Sequence, residues 1–160
     1  MPAKRRKMQN LNILYKNLEE KYEVMLKINK INIDFEENLK HTEIFKVESL
    51  DDFLNKKEKL IDDLELLEAK TSSYFEKIKN ENINSDNIKD IKDMIGKIQE
   101  LLNVLEEDEK YIKKQVEIFI SNEIASLKFN KKTSVAAFNY YKTMKNLSNV
   151  APQFFDVKSD

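Results

Sequence analysis

Apolar residues recur at alternating three- and four-residue intervals along three stretches of this chain, the spacing of one face of an α-helix. The middle stretch is the most regular. From Leu50, one register collects Leu50, Lys57, Leu64, Thr71 and Ile78. Its partner register collects Phe53, Leu60, Leu67 and Tyr74, so Lys57 and Thr71 are the polar interruptions. Ser49 stands where a helix cap would accept the amides of the first turn. A helix over 50–79 would be roughly 45 Å long.

The third stretch keeps the same rhythm through Ile88, Ile91, Ile95, Ile98, Leu102, Leu105, Ile112, Val116 and Phe119, with Glu109 its one polar seam position. Met94, Leu101, Tyr111 and Ile118 widen it into a second face, which implies contact with two neighbours. Asn84 or Ser85 is the expected cap. The first stretch is looser. Leu11, Tyr15, Leu18, Tyr22 and Met25 form one face, and Val24, Ile28, Ile31, Phe35 and Leu39 continue on a shifted one. No breaker marks its end between 40 and 48.

Connectors this short cannot span a 45 Å helix, so consecutive helices should run antiparallel. The expected fold is therefore all-α: an antiparallel three-helix bundle of long amphipathic helices, with a short C-terminal amphipathic helix and tail. The bundle is placed at 9–128, after a basic and disordered start at 1–8; a basic C-terminal helix and flexible tail occupy 129–160. In that last part, Val135, Phe138, Tyr141 (or Lys142) and Met144 (or Lys145) give a short amphipathic pattern that ends near Leu147. A helix below about 12–15 residues is marginal unless it docks on something. The competing arrangement is a long coiled-coil dimer, because heptads do not report whether the partner helix is in the same chain. Monomer and homodimer both stay open.

Composition agrees with helices. Only one Gly and two Pro occur in 160 residues, and sheets and tight turns draw heavily on both. Leu, Ile, Val and Phe make up 48 of the 160, enough to collapse into a core. The longest apolar runs are three or four residues, so neither a transmembrane helix nor a secretory signal is expected, and the expected location is cytoplasmic. Net charge is −1, yet it is unevenly placed: residues 1–8 carry +4, residues 9–123 carry −9 and residues 124–155 carry +5. Such asymmetry marks ends that do a different job from the body.

Candidate chemistry is thin. Without Cys there is no disulfide, thiol nucleophile or thiolate metal site, and one Gly cannot build a phosphate loop. A di-iron bundle needs Glu-x-x-His units; Asn38, Leu39 and Lys40 precede the one histidine, His41, so no metal or cofactor is expected. The acidic clusters Asp51-Asp52 and Glu106-Glu107-Asp108-Glu109 read as solvated helix faces. Lys131, Lys132, Lys142 and Lys145 interleave with Phe138, Tyr140 and Tyr141, as in single-strand binders. Against nucleic acid stand the acidic body and a basic complement of 26 Lys to two Arg, since base reading favours Arg. No enzyme is expected. The segment 135–147 either folds back on the bundle as a fourth helix or is offered to a partner protein's groove.

Three local features carry a family resemblance. The stretch with Leu50, Lys56, Lys57, Leu60, Ile61 and Leu64, the basic run 131–141 leading to Tyr140 and Tyr141, and the ending Phe154-Phe155-Asp156-Val157-Lys158 are similar to the small cytoplasmic chaperones of flagellar type III export, the FlgN/FliT type. The resemblance implies a non-catalytic cytoplasmic chaperone. It would bind a helical segment of a flagellar export substrate, a hook-associated or cap protein, and escort it to the export gate. Carried onto this chain, Val135, Phe138, Tyr141, Met144 and Leu147 would bury against the client helix, and Tyr140 or Tyr141 would touch the gate. The alternative is a structural coiled-coil scaffold that dimerises through the stripes at 50–78 and 88–119.

Overall fold

A computed structural model describes residues 2–41, 47–79, 85–125, 138–140 and 142–143. Three long helices carry almost all of them: α1 (Pro2–Lys40), α2 (Val47–Lys79) and α3 (Ser85–Ala125). The described residues of 138–143 are helical as well, and no strand occurs among the described residues. This is the expected three-helix bundle.

The helix ends differ from expectation in two places. α1 starts at Pro2 instead of near residue 9, so residues 2–8 continue the helix. Nothing in that stretch breaks a helix, and Pro is tolerated in a first turn, where its missing N–H costs no helical bond. α2 starts at Val47, which puts Ser49 inside its first turn instead of at the cap. Glu48 in that turn faces the positive end of the helix dipole. Ser85 opens α3, and the amide of His41 donates to the carbonyl of Asn38 at 3.1 Å as α1 ends.

The face of α1 that points inward is one continuous seam, not two. Leu11, Leu14, Leu18, Lys21, Met25, Ile28, Asn32 and Phe35 are all buried, at intervals that alternate strictly between three and four. Tyr15, Tyr22, Val24, Ile31 and Leu39 flank it, partly buried. On α2 the buried line runs Leu50, Leu54, Lys57, Ile61, Leu64, Glu68 and Thr71. The expected partner register of Phe53, Leu60, Leu67 and Tyr74 is thus displaced by one residue. Phe53 and Leu67 are buried beside the line, whereas Leu60 and Tyr74 only pack against its edge. On α3 Ile91, Met94, Ile98, Leu101, Leu102, Leu105, Glu109, Ile112 and Val116 are buried, and Ile88, Ile95 and Phe119 pack at the edge. Of the expected second face only Met94 and Leu101 turn inward; Tyr111 and Ile118 are exposed, because α3 packs closely on one neighbouring helix instead of two.

These seams close two apolar clusters. One joins the first two-thirds of α1 to Ile61 and Leu64 of α2 and to α3 from Ile91 to Leu105. The other joins Phe35, Leu50, Phe53, Leu54, Ile112 and Val116, toward the end of α1 and the start of α2. There the Phe35 and Phe53 rings stack with centroids 4.0 Å apart and planes 14° off parallel. α1 is the shared element. It packs against both neighbours, while among the described residues the Cα traces of α2 and α3 stay more than 8 Å apart.

Candidate functional site

The gap between α2 and α3 is closed by side chains. Lys57 of α2 reaches Glu109 Oε1 of α3, and the same oxygen accepts a hydrogen bond from Asn32 Nδ2 of α1 at 3.2 Å. One carboxylate oxygen therefore ties all three helices together at a single level. Lys57 Nζ also lies 5.1 Å from the Phe53 ring centroid, on its face. Glu109 Oε2 and Asn32 Oδ1 are buried with no hydrogen-bond partner among the described residues. Eleven residues earlier on α1, about 16 Å along its axis, Lys21 pairs with Glu68 of α2. All four ionic side chains are shut away from solvent.

Burial pulls both lysines below their ordinary pKa, and the attraction of Glu68 on Lys21 and of Glu109 on Lys57 offsets this only in part. Both lysines lie inside the bundle. There each polar seam residue rewards one register and penalises its neighbours. Glu109 therefore leaves the solvated acidic run to which its sequence neighbours belong, since Glu106 and Glu107 are exposed and Asp108 is half-buried. Thr71, another polar seam residue, donates to its own helix at the carbonyl of Leu67, 2.7 Å away.

Of the six residues expected to bind a partner, two lie among the described residues. Phe138 is 69% exposed. Tyr140, expected at a partner surface, is instead 1% exposed and forms part of the core, packed with Phe35, Leu50, Phe53, Leu54, Ile112 and Val116. Helical geometry accounts for the difference, because residues two apart point about 200° from one another. Thr143 is buried on the same side as Tyr140, and Lys142 approaches Glu58 of α2 at 3.9 Å in an exposed pair. The segment thus folds back on the bundle, with Phe138 turned outward. Val135, Tyr141, Met144 and Leu147 lie outside the described residues.

A cleft of about 190 Å³ opens between α1 and α2, lined by Ile31, Asp34, Phe35, Asn38, Ser49, Asp52, Phe53 and Lys56. Its charged residues Asp34, Asp52 and Lys56 are exposed. Among the described residues no three His, Asp or Glu side chains are grouped to hold a metal ion, and His41 is exposed at the end of α1. No helix among the described residues is long and apolar enough to cross a membrane. No family model, curated protein or solved structure matches the chain.

Proposed function

We propose that this chain is a non-catalytic cytoplasmic chaperone that binds a helical segment of a partner protein, as do the flagellar export chaperones it resembles. The client class is a hook-associated or filament-cap protein, escorted to the export gate. One observation carries this reading: the segment 138–143 is held to the bundle by Tyr140 while it presents Phe138 to solvent. A docked segment with an outward aromatic can add anchors to a client helix without unfolding the bundle. Burying one such ring contributes about 1.5–3 kcal/mol, so a few anchors reach micromolar binding after association costs.

The scaffold alternative needs the stripes at 50–78 and 88–119 for a second chain, and both are already turned onto α1. The deciding experiment is a pull-down from a flagellated host lysate with mass spectrometry of the retained proteins. It compares the full chain, a chain truncated after Lys132 and Phe138→Ala. Retention of hook-associated or cap proteins by the full chain, weakened in Phe138→Ala and lost on truncation, supports the reading. If the full chain retains none of them and elutes as a dimer alone, the scaffold takes its place.

A further inference from the structure

Three helices close the two apolar clusters, yet α3 has more apolar surface than these clusters use. Val104, Tyr111 and Ile118 follow one another at seven-residue intervals and are each 46–48% exposed. On α1, Leu26 and Ile33, also seven apart, are 41% and 49% exposed. The two rows lie side by side. α1 and α3 run parallel, and the Asn32–Glu109 hydrogen bond sets their register at an offset of 77 residues. Leu26 and Ile33 therefore stand level with positions 103 and 110, one short of Val104 and Tyr111. They also share a side of the bundle: the half-buried carboxyls of Glu36 and Asp108, on the flank of each row, are close enough to repel one another. The opposite flank of α1, with Ile31 and Asn38, faces the α2 cleft.

The surroundings of this double row are acidic. On a helix surface the neighbours of a residue are three and four positions away. For these five apolar residues they include Glu23, Glu36, Glu37, Glu100, Glu107 and Asp108, against Lys30 and Lys114 alone. Lys40 approaches Glu37 and Lys110 approaches Glu107, which still leaves four acids to two lysines. A second copy laid across the face would bring this acidic rim against itself. We propose that the outer α1–α3 groove, from Leu26 and Ile33 to Val104, Tyr111 and Ile118, is a docking face for an amphipathic helix of another protein whose apolar stripe is flanked by Lys or Arg. This face is separate from Phe138, and the proposal does not depend on the client class named above.

The test uses the full chain and two designed helical peptides of identical apolar stripe, one flanked by Lys and one by Glu, with affinity read by fluorescence anisotropy. The Lys-flanked peptide should bind, at least tenfold more tightly than the Glu-flanked one and more weakly as salt rises. Ile33→Ser with Tyr111→Ser should lower its affinity at least tenfold, and Phe138→Ala should leave it unchanged. Both serines replace half-exposed residues; a circular dichroism melt checks the fold, and Leu26→Ser with Val104→Ser serves as a second pair. The proposal falls if neither peptide binds, if both bind alike, or if both serine pairs leave affinity unchanged. It falls equally if sedimentation shows a dimer that the serine pairs abolish, for then a second copy owns the face.

Discussion

Glu109 of α3 accepts Lys57 of α2 and Asn32 of α1 on one carboxylate oxygen inside the core. Removing one partner from such a buried pair strands the other charge, which costs about 3–5 kcal/mol, whereas replacing both is often neutral. Lys57→Met should accordingly lose at least about 3 kcal/mol in urea unfolding. Lys57→Met with Glu109→Gln keeps an acceptor for Asn32 and should recover to within about 1 kcal/mol of the parent chain. A single Lys57→Met as stable as the parent would show that the charge on Glu109 is met some other way.

Tyr140 and Phe138 are two residues apart and should behave as opposites. Tyr140→Ala empties a site in the second core cluster and should cost about 3 kcal/mol, the scale of an aromatic truncated in a core. Phe138→Ala should stay within about 0.5 kcal/mol, as an exposed substitution. Thermal melts of the two variants decide the matter, and equal losses would mean that the segment packs with its other face inward.

Gly96 is the one glycine, and it sits inside α3. A Cβ built there meets no atom within 4 Å. Gly96→Ala should then stabilise the chain by about 0.5–1 kcal/mol, chiefly by restricting the unfolded state. A loss of stability in denaturant unfolding would overturn this.

Asp108 and Glu36 give the bundle a pH dependence of defined sign. Partial burial raises both carboxyls above their ordinary range near about 4; the charges of Asp108 and Glu109 add to the effect at Glu36, and that of Glu109 adds to it at Asp108. Lys57 beside Asp108 and Lys40 beside Glu36 pull the other way without prevailing. A folded state that holds these protons more tightly gains stability as pH falls through the raised values and loses it as pH rises. Asp108→Asn should melt higher than the parent at pH 7, and the difference should shrink by pH 5. A difference that widened on acidification would reverse the assignment.

The three helices and their antiparallel order were legible because Leu and Ile recur with helical period and almost nothing interrupts them. The seam of α1 was not. Lys21 and Asn32 occupy two of its positions, and a pattern read from apolar residues alone splits there into two faces. Glu68 was hidden for the same reason, since a charged residue on a helix is almost always exposed and becomes a core residue only when a partner 47 positions away neutralises it. Spacing did single out Lys57, Thr71 and Glu109 as polar seam positions, but it could not say that Lys57 and Glu109 meet. At the C-terminal segment the amphipathic pattern fixed a face without saying which side of it would dock. Tyr140 fills the space between α2 and α3, packed with Leu50, Phe53 and Leu54 of one and Ile112 and Val116 of the other.

That space has a consequence for how the molecule opens. Each buried ion pair keeps one member on α2, Glu68 in one and Lys57 in the other, and their counterparts are divided between α1 and α3. Lifting α2 alone would return all four charges to water in a single movement and leave α1 and α3 still in contact. Removing α1 or α3 breaks only one of the two pairs, so hydration repays more of the lost packing when α2 leaves; α2 is the detachable stave of this barrel, and α1 the one to which the others are fastened.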